Sequence, residues 1–219
     1  IADDGRDWTI NLAKEDIQGD KGQVVQVTYH PFDQRLTYYS GKTKGFMAYP
    51  RSPLMKSMLN ANLSLITVRN SRRGNVNNVF ISNTILDKDA ISPFDNSRFF
   101  PLYLYAEDES KVPNLKKDIV NEIENIVGSV YPENIFDYIY SVLHSPNYRE
   151  KYKEFLRIDF PCVPYPKDAK TFKQLVAFGS ELRTLHLLES PKVNQFITIY
   201  PVAGSDVIDK LVYKDGNVF

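Results

Sequence analysis

The sequence predicts an α+β fold: an N-terminal β-rich half, mixed or antiparallel, then a helical middle, then a short return to strands. Three observations carry that expectation. Residues 23–105 hold short β-branched and aromatic runs punctuated by Gly, Pro and Asn. Residues 114–190 change to apolar residues at helical spacing. Strand-like runs resume in residues 191–219, which are expected to pack on the same domain. Strands, helices and strands in succession argue against a wound parallel sheet, whose elements alternate. The chain's 219 residues, 42% of them apolar, suffice for one large or two small cores.

Residues 1–22 read as a lead-in from a preceding domain, with Asp7 placed to cap a short helix and Gly19 and Gly22 to end it. Val24, Val25, Val27 and Tyr29 form a β run stopped by Pro31, and Arg35–Tyr39 forms a second. Ser52 suits the N-cap and Pro53 the first position of a helix whose apolar face is Leu54, Met55, Met58 and Leu59. Leu63–Val68, Val79–Ile85 and Phe99–Tyr105 read as strands, with a polar loop at Arg69–Asn78. The acidic stretch Ala106–Pro113 reads as a link.

Beyond it, Leu115–Val127 spaces Leu115, Ile119, Ile123, Ile126 and Val127 as a helix would. Glu133–His144 carries Ile135, Ile139, Val142 and Leu143 on one face, and Phe136 and Tyr140 on another. Pro146 opens a further helix with Tyr148, Tyr152, Phe155 and Leu156 inside, and Phe160–Pro166 is a rigid, extended connector. Ala169–Glu189 is the longest helix, with Phe172, Leu175, Phe178, Leu182 and Leu185 in one stripe. Gly179 at its middle costs about 1 kcal/mol relative to Ala, so a close helix crossing is expected there. Phe196–Tyr200 and Val207–Tyr213 are the expected C-terminal strands.

Charge is distributed unevenly. The 53 residues from Gln34 to Leu86 hold eight cations and no Asp or Glu, leaving 19 basic against 27 acidic residues elsewhere. A one-signed stretch interleaved with Tyr38, Tyr39, Phe46 and Tyr49, and with Asn70, Asn75, Asn77 and Asn78, suits a polyanion bearing stackable, hydrogen-bonding bases. Arg35, Lys42, Lys44 and Lys56 are the phosphate candidates. Arg69, Asn70, Arg72, Arg73, Asn75 and Asn78 are the base-edge candidates, since Arg pairs with guanine O6/N7 and Asn with adenine N6/N7. Tyr39 and Arg51 complete the set. A charge run can equally be a solvated face, or a surface for an acidic protein partner; the latter is the alternative function.

Other chemistry finds little support. Gly41-Lys42-Thr43 lacks the glycine of a phosphate-binding loop, because Leu36 stands five residues before Gly41. Ser145-Pro146-Asn147-Tyr148 is only faintly similar to the Asn-Pro-Pro-Tyr motif of adenine methyltransferases, and it opens a helix. His30, His144 and His186 have no metal-ligand spacing, and the latter two are expected to be structural histidines near helix C-termini. No catalytic residue, metal or cofactor is expected in this chain. Cys162, the only cysteine, excludes an internal disulfide and suits a reducing cytoplasm. No apolar run is long enough to span a membrane.

Several stretches together resemble one family. Tyr29-His30-Pro31-Phe32-Asp33-Gln34-Arg35-Leu36-Thr37-Tyr38-Tyr39, with Gly45-Phe46 and Pro50-Arg51, resembles a block that opens the C-terminal target-recognition (specificity) domain of type ISP and related single-chain restriction–modification enzymes. Phe100–Tyr105, Ile135–Arg149, Phe155–Pro161 and Gly179–Leu188 continue the resemblance in order. His30 and Lys44 stand where the family carries arginine. The resemblance implies a domain that reads duplex DNA for an adenine-N6 methyltransferase located upstream in the parent protein. S-adenosylmethionine is then the parent's cofactor, and a nuclease and motor often accompany it. It also implies a recognition piece separate from those catalytic parts, with residues 114–190 as scaffold and docking region.

Overall fold

The computed structural model describes residues 4–72, 77–106, 108, 110–196, 204, 210, 212–215 and 217–218. Helix α1 (Ile10–Gln18) is capped by the Thr9 hydroxyl, rather than by Asp7, and ends at Gly19. Strand β1 (Gln23–His30) pairs antiparallel with β2 (Asp33–Tyr39) around a turn at Pro31-Phe32. Helix α2 (Ser52–Met55), with Pro53 in its first turn, runs on into a 3-10 turn (Lys56–Leu59) that buries Met58. Then come β3 (Ser64–Val68), β4 (Val79–Ser82), the short β5 (Ile85–Leu86) and β6 (Ser97–Pro101).

Two three-stranded sheets result, in the orders β2-β1-β5 and β4-β3-β6. Among the described residues only β1 and β5 run parallel, so the sheets are mixed and antiparallel as expected. The second sheet is the middle layer of the molecule, and its pleat explains why. Ile66, Phe80 and Phe99 face β1, Met55, Met58, Ile85 and Leu86 on one side. Leu65, Val79 and Ile81 face the helices on the other. Hydroxyls of Thr28 and Ser82, 2.7 Å apart, satisfy each other in the buried seam between the sheets.

The predicted strand Phe99–Tyr105 is interrupted at Leu102, whose N–H turns to the carbonyl of Leu63 at 2.7 Å while its side chain enters the helical core. Strand β7 (Tyr103–Tyr105) then pairs with β8 (Lys111–Pro113), so the stretch expected to be a link is a hairpin.

Helices α3 (Lys117–Val127), α4 (Pro132–His144), α5 (Pro146–Lys151), α6 (Lys153–Ile158) and α7 (Ala169–His186) form the outer layer. Helix α4 is its spine, and both of its expected faces are used. Ile135, Ile139, Val142 and Leu143 pack toward α3 and α5; Phe136 and Tyr140 pack on Ile81 and Leu102. The crossing at Gly179 is real: a Cβ there would lie 1.8 Å from the carbonyl oxygen of Asp137. Beside it Arg183 grips Asp137 with two bonds, 2.7 and 3.1 Å.

Other expectations need correction. Phe178 is exposed, because the buried stripe runs through Phe172 and Gly179 and position 178 falls one residue off it. The helix after Pro146 breaks at Tyr152, leaving Tyr152 and Phe155 at the surface. In α3 only Ile123 is buried. The connector 160–166 is held by the hydroxyls of Tyr138 and Tyr148, which donate to the carbonyls of Pro164 and Cys162.

His186 bonds the Tyr140 hydroxyl through Nδ1 at 2.6 Å and stacks on Phe80, while His144 Nδ1 meets the carbonyl of Tyr140. Both histidines are therefore structural, and burial lowers both pKa values, that of His144 to about 4. Of the C-terminal strands, Tyr213–Lys214 (β9) pairs with Asn217–Val218 (β10). The rest of Phe196–Tyr200 and Val207–Tyr213 lies almost entirely outside the described residues.

Candidate nucleic-acid interface

The basic stretch is mounted by carboxylates that lie outside it. Asp16 of α1 is buried; one of its oxygens accepts the Ser40 hydroxyl at 2.7 Å and the Phe46 N–H at 2.8 Å. A Cβ at Gly45 would meet that same oxygen, so only glycine lets the loop close on it. Trp8 adds a bond from its indole nitrogen to the carbonyl of Phe46. Residues 1–22 thus include the clamp that shapes the loop carrying Lys42 and Lys44. Both lysines are exposed, and Lys44 adopts a φ of 58°. Gly41, at φ 75°, lies against Ser52, which brings this loop beside Arg51.

Arg51 marks the centre. Its backbone is left-handed, φ 50°, an uncommon and costly state for a residue with a side chain. Its guanidinium donates to the carbonyl of Ser97 at 3.2 Å and lies 6.0 Å from the Phe99 ring. Burial, and then the nearby Arg98, push its pKa down from the usual arginine value. Arg51, Arg69 and Arg98 line one open groove of about 340 Å³, with Leu54, Phe99, Phe100 and Phe160 as its apolar walls. Residues from both faces of β6 contribute, so the groove wraps the edge of that strand, which among the described residues pairs only with β3. Phe100 and Phe160 meet edge to face, 5.7 Å between centroids.

The loop after β3 is fixed where it leaves the strand by two neighbouring bonds. The Ser71 N–H donates to the carbonyl of Arg157, and the Arg72 N–H to buried Asp95 at 3.1 Å. Arg69 bonds Asp159 at 3.1 Å. Asn70 and the Arg72 side chain are exposed on the same short segment. Lys56 is exposed on the 3-10 turn. Arg35 is exposed on β2 but compensated: it pairs with Asp33 at 2.8 Å and stacks 3.8 Å over Tyr29.

Asn78 is half-buried beside Thr67, Leu143 and Tyr148. Arg73 and Asn75 lie outside the described residues. Tyr39 requires a correction: it is only 4% exposed, in the core between the sheet and α2, and its hydroxyl donates to the carbonyl of Pro50. Of the Tyr38-Tyr39 pair, the pleat turned the second inward.

Arg98 was missed by sequence reasoning. The alternation Ser97-Arg98-Phe99-Phe100-Pro101, buried at every odd residue, places Arg98 and Phe100 together on the exposed side of β6. A strand read from Phe99 onward left Arg98 out. Among the described residues the Arg98 side chain makes no hydrogen bond or ion pair, and the groove pairs one half-buried arginine with a second, like-charged one. Like charges held together in a partly dry groove are costly until an anion arrives.

A family model described as the type ISP C-terminal specificity domain matches residues 1–218. The chain belongs to that family. Among solved structures, this specificity domain is similar to part of a DrdV–DNA complex determined by cryo-EM, with 28% identity, a TM-score of 0.62, and coverage of 75% of this chain and 16% of that one. It shares its fold with part of the ATP-dependent type ISP restriction–modification enzyme LlaBIII bound to DNA, at 22% identity and a TM-score of 0.62, over 82% of this chain and 12% of that one. The specificity domain thus corresponds to a small fraction of each of these chains. No curated protein matches the sequence. Among the described residues no helix is long and apolar enough to cross a membrane, and no group of His, Cys, Asp and Glu could hold a metal.

Proposed function

We propose that this specificity domain reads a short duplex DNA sequence for a bacterial restriction–modification enzyme and positions that duplex for an adenine-N6 methyltransferase domain of the parent protein. The observation that carries the reading is the convergence of Arg51, Arg69 and Arg98 on one aromatic-walled groove. Guanidinium groups suit both phosphate oxygens and the guanine major-groove edge. Family membership and the DNA in the two related structures support it.

In this reading Lys42, Lys44 and Lys56 meet phosphates, while Arg69, Asn70 and Arg72 supply side chains for base edges. Arg73 and Asn75 continue that loop in sequence. Helices α3–α7 carry the recognition layer and present the surface that meets the rest of the parent. The parent binds S-adenosylmethionine, which supplies the methyl group, and works in the cytoplasm.

The test is duplex binding by Arg98→Ala, with Lys173→Ala, an exposed cation on α7, as the control. Arg98→Ala should weaken binding by about 1–3 kcal/mol and Lys173→Ala should leave it within about twofold. Equal effects of the two changes would refute the assignment of the groove, and capture of an acidic protein with no retardation of DNA at low salt would favour a protein partner.

A further inference from the structure

We infer that Asp159 is a specificity-positioning residue: it holds Arg69 so that the two terminal guanidinium nitrogens are presented to a guanine edge of the bound duplex. The inference rests on the DNA-reading role proposed above. The geometry of the pair is its basis. Asp159 takes only Nε of Arg69, at 3.1 Å, and the arginine side chain remains 63% exposed. Among the described residues the terminal nitrogens of Arg69 make no hydrogen bond.

The Arg183–Asp137 pair in the same molecule shows the contrast. There the carboxylate takes both Nε and a terminal nitrogen, at 2.7 and 3.1 Å, and the side chains are 19% and 4% exposed. That pair is a closed structural tie, whereas the Arg69 pair fixes the stem of the fork and leaves the tines open. Two parallel donors match O6 and N7 of guanine, a contact that needs a defined plane; a phosphate contact does not.

The carboxylate is itself fixed. The oxygen that binds Arg69 also accepts the Phe160 N–H at 2.8 Å, just beyond the end of α6. Phe160 is braced edge-on by Phe100 in the groove wall. The neighbouring Arg157 carbonyl accepts the Ser71 N–H, so α6 and the recognition loop are joined at two points. A carboxylate beside a DNA groove repels every phosphate alike; it gives up general affinity and gains discrimination. The helical half of the chain therefore takes part in reading sequence, through the segment Asp159-Phe160.

The experiment selects bound duplexes from a library with a randomised core, using the full-length protein and its Asp159→Ala, Asp159→Asn, Arg69→Ala and Asp159→Ala/Arg69→Ala variants. The wild type should enrich guanine at one position, and Asp159→Ala should lower that preference about tenfold there while sparing the other positions. The same variant should retain a random-sequence duplex about two- to threefold better, having lost one negative charge. Asp159→Asn keeps an acceptor for Arg69 and Phe160 and should keep part of the preference. Asp159→Ala should add nothing to Arg69→Ala at that position. Unchanged preferences in Asp159→Ala, or an equal loss at every position together with weaker random-duplex binding, overturn the positioning role alone. Binding that ignores Arg51→Ala and Arg98→Ala overturns the groove reading beneath it.

Discussion

Replacing Gly179 by Ala sets a local gain against a tertiary loss, and the structure decides the sign. In an isolated helix the change is stabilising by about 1 kcal/mol. Here the new Cβ would stand 1.8 Å from the oxygen, 2.5 Å from the carbon and 2.9 Å from the Cα of Asp137. All three are main-chain atoms of α4, so no side chain can swing aside, and reaching normal contact needs the helices to part by roughly 1.5 Å. Overpacking of this kind costs about 1–3 kcal/mol. The same displacement pulls Arg183 from a carboxylate that is 4% exposed, and breaking a buried pair costs about 3–5 kcal/mol. The net expectation is a loss of about 3–7 kcal/mol, a large share of the roughly 5–15 kcal/mol that holds a domain. Denaturant unfolding followed by far-UV circular dichroism should show the midpoint falling steeply. An unchanged or higher midpoint would show that the α4–α7 crossing is not as close as described.

Two further predictions concern the frame of the interface. Asp16→Ala removes the acceptor shared by Ser40 and Phe46 and should cost about 1–3 kcal/mol in stability, measured by denaturant unfolding. It should also weaken duplex binding through Lys42 and Lys44, since their loop loses its clamp, and an unaltered affinity would detach that loop from the interface. His144 gives a pH dependence. Burial lowers its folded pKa from 6.5 to about 4, so below pH 6.5 the unfolded chain takes up a proton that the folded chain refuses. Stability should therefore fall as pH drops from 6.5 toward 4, by about 1–2 kcal/mol after allowance for the group's partial exposure. His144→Gln should flatten this part of the profile in pH-dependent unfolding.

What could be read from the sequence was whatever depends on a residue's own neighbours in the chain. Apolar spacing gave α4 its two faces, and the cost of a mid-helix glycine gave the crossing at Gly179. What depended on distant partners was hidden. The pleat sent Tyr39 inward, and nothing in a Tyr-Tyr pair says which one turns in. The break at Leu102 answers to the carbonyl of Leu63, and the pairing of 111–113 with 103–105 answers to hairpin geometry.

Charge was legible as a one-signed stretch but not as a site. Asp33 and Asp159, both outside the stretch, return to pair with Arg35 and Arg69, while Arg98 joins Arg51 in the groove. The lead-in at residues 1–22 hid a structural carboxylate, because Asp16 in sequence is one acid among several polar residues.

In the proposed function the Arg51–Arg98 pair awaits the anionic backbone or base edge of a duplex. The slope of log affinity against log salt concentration, measured for the wild type and for the Arg51→Ala/Arg98→Ala double variant, tests it most directly. The double variant should bind at least tenfold more weakly and lose about two units of slope, near 0.9 for each phosphate neutralised. An affinity and a slope equal to those of the wild type would remove the pair from the interface.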